Sequence, residues 1–361
     1  MAADWFQTTV GNYCPFLYGK GLPREKRIHG NIPVVSSAGV SGLHDQALVQ
    51  SKGVVIGRKG TVGSITYCDK PFWPIDTTFY IPDEPEKRDV RFTYYLLKTI
   101  GLETMNSDSA VPGLNRNNAH AAEIKIPPLA EQKRIASILG ALDDKIELNR
   151  RMNAKLEDMA RTLFKSWFVD FDPVRAKLDG RPPAGMDAAT AALFPDAFEE
   201  SALGLIPKGW RAGSIYEIAK VIYGAPFASS LFNSEKNGKP LIRIRDLENE
   251  SPAVFTTEVH PKGYLLHPGD IAVGMDGEFR AYLWAGVESW LNQRVCVFAP
   301  KQGYSAAFVR NSIIAPLAHV EATETATTVI HIGKNDIDRF TLLIPDGFVV
   351  EAFNRRLLVD H

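Results

Sequence analysis

The feature that most restricts how this chain can fold is an internal repeat of long period. Gly57-Arg58-Lys59-Gly60 precedes an apolar-rich run ending in Thr78-Phe79-Tyr80-Ile81, and Gly274-Met275-Asp276-Gly277 precedes one ending in Val295-Cys296-Val297-Phe298. Both glycines recur 217 positions on (57 to 274, 60 to 277). Downstream, Asn117 precedes Ile124-Lys125-Ile126-Pro127 and Asn335 precedes Leu342-Leu343-Ile344-Pro345, at an offset of 218 (117 to 335, 127 to 345). Upstream, Leu17-Tyr18-Gly19-Lys20-Gly21 is similar to Val221-Ile222-Tyr223-Gly224-Ala225 at an offset of 205 (18 to 223), so an insertion lies between these anchors. Three anchors in one order predict a duplicated domain. A chain of 361 residues has room for two such copies and a connection.

Each copy reads mainly as strands. Ile32-Pro33-Val34-Val35, Gly53-Val54-Val55-Ile56 and Phe79-Tyr80-Ile81 are short β-branched or aromatic runs bounded by Gly, Pro and Asp. Leu241-Ile242-Arg243-Ile244-Arg245 alternates apolar and basic residues, the pattern of a half-buried strand. Residues 91–100 and 306–317 carry helix-compatible apolar spacing. The expected fold class is therefore α+β, with irregular sheets and long loops in each copy.

Between the copies the texture changes. From Leu129 to Phe168 there is no proline and one glycine, Gly140, and Pro127-Pro128 stands just before, where proline suits a helix start. Apolar residues fall at Ile135, Ile138, Leu142, Ile146, Met152, Leu156, Met159, Leu163 and Trp167, mostly three or four apart, as on a helix with a packing seam. Asn149 sits on that seam. About 40 helical residues at 1.5 Å each would span roughly 60 Å, too long for the interior of one small domain. Such a helix bridges domains or pairs with another long helix; the alternative is two shorter helices broken near Gly140. Phe168-Val169-Asp170-Phe171-Asp172-Pro173 ends it, and a linker containing Gly180-Arg181-Pro182-Pro183-Ala184-Gly185 follows. The expected boundaries are 1–128 for the first domain, 129–172 for the long helix, 173–208 for the linker, 209–346 for the second domain and 347–361 for the start of a second helix.

Signals for chemistry are missing. The sequence has no HExxH, no GxSxG and no GxxxxGK[ST]. Eight dispersed histidines predict no metal site, and no catalytic residue is expected. The glycine loop 57–63 leads from one strand-like run into another, so it reads as a tight turn and not as a phosphate cradle opening a helix. The carboxylates near Glu86 crowd one polar loop, whereas a nuclease draws its metal-binding carboxylates from separate strands. Cys14, Cys68 and Cys296 form no CxxC and suggest free thiols in a reducing compartment. With no signal-like start and no apolar stretch of about 20 residues, a cytoplasmic protein without membrane contact is expected.

Several strings resemble the specificity subunits of type I restriction–modification systems. They are Tyr18-Gly19-Lys20-Gly21-Leu22-Pro23, Ile56-Gly57-Arg58-Lys59-Gly60-Thr61-Val62-Gly63-Ser64 and Phe72-Trp73-Pro74-Ile75-Asp76-Thr77-Thr78-Phe79-Tyr80-Ile81. In and after the spacer they are Ile126-Pro127-Pro128-Leu129-Ala130-Glu131-Gln132-Lys133-Arg134-Ile135, Leu163-Phe164-Lys165-Ser166-Trp167-Phe168-Val169-Asp170-Phe171 and Leu205-Ile206-Pro207-Lys208-Gly209-Trp210. The resemblance implies two target recognition domains, each reading one half of a bipartite site on double-stranded DNA. It implies that a coiled-coil-type spacer helix sets the gap, and that its apolar stripe docks two modification (methyltransferase) subunits. A restriction subunit with translocase activity would join them. This chain would hold no cofactor; S-adenosylmethionine, ATP and magnesium would belong to the partners. The family's second spacer helix is expected to be truncated here, which leaves room for self-association through a second copy.

On that reading, loops supply donors and acceptors to base edges and cations to phosphates. Candidates in the first copy are Lys20, Arg58, Lys59, Thr61, Asn115, Arg116 and Asn117; in the second, Lys239, Arg243, Arg245, Arg280, Lys334 and Asn335. The formal net charge of −1 gives no independent support for DNA binding. A scaffold that binds only protein, and a DNA-binding subunit of a modification-only system, stay open as alternatives.

Overall fold

A computed structural model describes residues 5–105, 113–323 and 330–359, with side chains to Leu357. By compactness the chain divides into two units, Met1–Arg151 and Met152–His361. One helix, Leu129–Phe168, is continuous across that boundary.

The first unit is built on a four-stranded antiparallel sheet in the order Leu17–Tyr18, Thr78–Pro82, Gly53–Gly57, Ile65–Cys68. The central strand Gly53–Gly57 is buried along its whole length, which is why it reads as an unbroken apolar run. A three-stranded sheet lies alongside in the order Gly39–His44, Ile32–Ser36, Trp73–Pro74, its last pair parallel. Phe6–Thr9 pairs with Glu123–Ile126. Of the span 91–100 expected as helix, the structure forms Val90–Leu97, capped by the Asp89 carboxylate, which accepts from the Phe92 N–H at 2.8 Å.

The second unit repeats this plan. Its four-stranded sheet runs Ala219–Tyr223, Val295–Pro300, Ile271–Gly274, Ala281–Leu283, the same order as in the first unit. The register repeats as well. Tyr18 faces Phe79 and Tyr223 faces Cys296; Gly57 faces Thr78 and Gly274 faces Val295. The parallel pair recurs too, with Trp73 beside Val34 and Trp290 beside Leu241. Arg211–Ser214 pairs with Thr341–Ile344, as Phe6–Thr9 does with Glu123–Ile126.

One reading changes and one alternative closes. The alternating run 241–245 is not one strand. The strand Lys239–Ile242 stops there, because the Asp246 carboxylate accepts from the Arg243 N–H at 3.0 Å and folds Ile244–Asp246 into a 3-10 turn. The long helix is not broken at Gly140. Arg91 occupies the space a side chain would need: its guanidinium donates to the Gly140 carbonyl at 3.1 Å, and a Cβ there would meet it at 2.7 Å. Arg91 also pairs with Asp144 at 2.6 Å, and the Tyr95 hydroxyl donates to Asp143 at 2.7 Å. The glycine makes room for a clasp.

The two units anchor the helix differently. At its start, the Gln132 side chain is buried; its Oε1 accepts from Tyr13 Oη at 2.9 Å and from the Asp89 N–H at 3.1 Å, while its Nε2 donates to the Pro127 carbonyl at 2.9 Å. At its end, Phe164, Trp167 and Phe168 enter an aromatic core with Phe308 and Phe353, ring centroids 5.2 Å apart for Phe168–Phe308 and 5.3 Å for Phe168–Phe353. The helix stops where Phe171 turns into the left-handed region (φ 56°). The helix Asp172–Leu178 and the hairpin of Phe198–Ser201 with Gly204–Pro207 then lead to buried Trp210. Within 347–361 the helix Gly347–Val359 forms; residues 360 and 361 lie outside the described ones.

Candidate nucleic-acid interface

The glycine loop of the first unit is a turn between antiparallel strands. Gly57 N–H donates to the Ser64 carbonyl at 2.8 Å and Gly63 N–H to the Gly57 carbonyl at 2.9 Å. Gly60 and Gly63 adopt positive φ (79° and 74°), which a side chain would resist. The turn presents Arg58, half-buried, and Lys59 and Thr61, both exposed.

Here the fold gathers residues that are distant in sequence. Tyr18, on the edge strand of the same sheet, is 52 % exposed. The Arg116 guanidinium lies 4.8 Å from its ring centroid and that of Arg58 lies 5.5 Å away, with Phe79 a further 5.9 Å partner for Arg58. The Arg58 guanidinium donates to the Asp76 carbonyl at 2.7 Å. The Nε atoms of Arg58 and Arg116 are buried with no hydrogen-bond partner. Lys59 bridges backbone to backbone with Gly113. Lys20 lies 6.0 Å from the Trp73 ring, whose Nε1 donates to the Lys20 carbonyl at 2.8 Å. Among the described residues none of Lys20, Arg58, Lys59 and Arg116 is paired with a carboxylate. A donor-rich surface laid over aromatic rings, with no carboxylate partner among the described residues, can take phosphate or base acceptors.

Asn115 has a structural duty. Its Oδ1 accepts from the Asn117 and Asn118 N–H groups at 2.9 and 3.2 Å, capping the short helix Arg116–Ala121. The Asn117 side chain remains exposed. Behind this helix, the Phe16 N–H donates to His120 Nε2 at 2.9 Å; burial, then the nearby Arg116 charge, lowers the imidazole's pKa.

In the second unit most candidate cations are already engaged. Lys239 pairs with Glu288 at 2.7 Å, Arg243 with Asp246 at 3.2 Å, Lys334 with Asp338 at 2.6 Å and Arg280 with Glu278. Arg245 and Asn335 are exposed. These six residues do not form one cluster like that around Tyr18. What the sequence reading missed is a group at the counterpart of the first unit's turn: Asp276 bridges backbone to backbone with His331, and Arg294 stands beside both. The offsets of 217 and 218 carry Lys59 to Asp276, Thr77 to Arg294 and Gly113 to His331, so the signal was present in the repeat.

The helix stripe divides. Ile138, Leu142, Ile146, Met152 and Met159 are exposed, by between 42 % and 58 %. Ile135 packs on the first unit's core, Leu156 is half-buried, and Leu163 and Trp167 belong to the core of the second. Trp167 is therefore an internal anchor of this chain.

Among the described residues no three or more His, Cys, Asp or Glu side chains form a group able to hold a metal ion, and no helix is long and apolar enough to cross a membrane. The three thiols are free and buried, and burial pushes each up to about 12.

Known proteins resemble this chain in sequence and in fold. It is 33 % identical over 153 residues to the type I restriction enzyme EcoBI specificity subunit of Escherichia coli, a match covering 42 % of this chain and 32 % of that one. It is 24 % identical over 296 residues to the HindI specificity subunit of Haemophilus influenzae, covering 68 % and 64 %. The chain thus matches one third to two thirds of the length of these relatives. A crystal structure of the type I restriction–modification S subunit from M. genitalium has the same fold, with a TM-score of 0.53 at 15 % identity over 99 % of this chain and 91 % of that one. The family model for the type I restriction modification DNA specificity domain matches twice, at residues 4–158 and 207–346, and the chain belongs to that family.

Proposed function

We propose that this chain reads a bipartite site on double-stranded DNA, one half with each domain, and directs partner subunits that carry the chemistry. The observation that carries the reading is the surface around Tyr18, where Arg58 and Arg116 lie over an exposed ring and neither has a carboxylate partner among the described residues. The proposed DNA contacts are Lys20, Arg58, Lys59, Thr61, Arg116 and Asn117 in the first domain, and Arg245, Asn335 and the ion-paired Lys239, Arg243, Arg280 and Lys334 in the second. Asn115 serves by shaping its loop. The proposed domains are 1–128 and 209–346, joined by the spacer 129–172 and the linker 173–208.

The exposed stripe Ile138, Leu142, Ile146, Met152 and Met159 supports docking of two modification subunits, since apolar rows on a polar helix favour a helical partner. The spacer helix sets the gap between half-sites. S-adenosylmethionine chemistry would belong to the modification subunits, and ATP- and magnesium-dependent translocation to a restriction subunit. The chain itself acts in the cytoplasm, without catalysis.

The test is reconstitution with the modification subunit, followed by methylation mapping and DNA binding across a salt series. Methylation of a two-part site that requires this chain is expected. The same sites methylated in its absence would end the proposal.

A further inference from the structure

The two turns at matched positions carry opposite hydrogen-bonding character. In the first domain the charged groups of the turn and of the helix beside it are donors, from Arg58, Lys59 and Arg116. In the second, the position of Lys59 is held by Asp276 and that of Gly113 by His331, with the same antiparallel backbone bridge between them. Thr77, whose carbonyl accepts from the Arg58 N–H at 2.9 Å, gives way to Arg294, whose carbonyl accepts from the Met275 N–H at 2.9 Å. The backbone frame is therefore the same and the chemistry is exchanged.

The new side chains form a compact group. His331 Nδ1 is 2.7 Å from Asp276 Oδ1, and Arg294 Nη1 is 3.5 Å from that oxygen and 3.4 Å from His331 Nδ1. Both neighbours hold one carboxylate oxygen. Asp276 Oδ2 and His331 Nε2 have no partner among the described residues. The Asp276 side chain is 28 % exposed, between a cation more than half exposed and a half-exposed imidazole. A carboxylate at this place repels phosphate, so it is not a backbone seat. What it can accept from on a DNA surface is an amino group. In the major groove cytosine N4 and adenine N6 supply one, whereas guanine shows two adjacent acceptors, O6 and N7.

We infer that the matched turns read complementary base-edge chemistry: the first domain selects guanine through donors from Arg58, Lys59 and Arg116, and the second selects an amino-bearing base, cytosine or adenine, through Asp276. His331 and Arg294 are positioning residues that fix the carboxylate and leave Oδ2 free. This inference rests on the proposed reading of duplex DNA.

The test uses the full complex with its modification subunit and DNA randomised across both half-sites, sequenced after selection for methylation. Asp276→Ala should lower discrimination roughly tenfold or more at one cytosine or adenine of one half-site and leave the other half-site unchanged. Asp276→Asn should move that position toward adenine, the base an amide pairs with in two bonds. Lys59→Ala and Arg58→Ala should relax a guanine in the opposite half-site. His331→Ala should weaken the Asp276-dependent preference without moving it to another position. Should Asp276→Ala fail to assemble, Asp276→Asn and His331→Ala decide the matter. The inference falls if the wild-type complex selects a bipartite site and the Asp276 and His331 variants keep every base preference within about twofold. It falls too if Asp276→Ala and Lys59→Ala relax positions in the same half-site. A wild-type complex that selects no sequence would instead remove the proposed function itself.

Discussion

The two domains share a sheet order and a strand register but differ where each meets the helix that follows it. In the first, Tyr13 and Gln132 form a buried hydrogen-bonded joint. The repeat offsets place Ile218 and Val350 at those positions in the second, and both are buried in its apolar core. The same contrast recurs at the surface: around Tyr18 the cations have no carboxylate partner among the described residues, and in the other domain they are ion-paired. The register that shapes the core is retained, while groups at the ends of the strands and in the turns are exchanged. A polar joint is directional and fails if one member is lost; an apolar joint fails in proportion to the volume removed.

The largest test of this difference is Phe168→Ala. The ring packs against Trp167, Trp210, Phe308 and Phe353, and its removal leaves a cavity at the apolar joint. A loss of about 3–5 kcal/mol is expected, confined to the second unit. Hydrogen exchange read by mass spectrometry reports each unit separately. Equal loss of protection in both units would contradict the division at residue 151.

Gln132→Ala comes next. It strips partners from the Tyr13 hydroxyl, the Asp89 N–H and the Pro127 carbonyl at once. The Tyr13 hydroxyl retains a hydrogen bond with Thr93 Oγ1 at 3.2 Å, which limits the damage. A loss of roughly 2–3 kcal/mol in the first unit is expected from urea unfolding, with early fraying at the start of the helix. Val350→Ala should cost less, about 1–2 kcal/mol, and only in the second unit. Reversal of that order would show that the polar joint contributes little.

These joints also mark how much was legible in the sequence. The duplication was legible because glycine turns and Ile-Pro strand ends tolerate few substitutes, so Gly57 and Gly274 survive as matched letters. The helix was legible because 40 residues without proline leave few alternatives. Its exposed and buried segments were not, since Leu142 and Trp167 occupy the same periodic stripe and only tertiary packing separates them. Gly140 left a break open as the alternative because its reason, Arg91, lies 49 positions away. Arg58 and Arg116 were chosen one by one as loop cations; that both stand over Tyr18 depends on strand pairing and a short helix that no spacing reveals. Lys239 and Lys334 looked equally available, but Glu288 and Asp338 are brought to them by the fold.

That surface contrast predicts unequal salt dependence. Arg116→Ala or Lys59→Ala should reduce the slope of log affinity against log salt by about 0.9 for each phosphate that is no longer neutralised. Lys334→Ala should change it less, because Asp338 already compensates that charge. Titration of the reconstituted complex with target DNA at several salt concentrations measures both. A larger change for Lys334→Ala would place the phosphate surface in the second domain.

The smallest expected effect is a pH dependence confined to the first domain. His120 Nε2 must be unprotonated to accept from the Phe16 N–H, and burial lowers its pKa below the ordinary value near 6.5. The folded state therefore binds this proton less readily than the unfolded state does. The stability it contributes is fully present above pH 6.5 and is lost as pH falls through the lowered value. The ring is partly open to solvent, which keeps the effect small. Hydrogen exchange around Phe16 should accelerate below pH 6.5, beyond the intrinsic pH trend of exchange. His120→Gln, whose amide oxygen can take the same N–H, should remove that excess. No matching acceleration is expected at Val221, the corresponding place in the second domain. An excess that persists in His120→Gln would assign the acid sensitivity to another group.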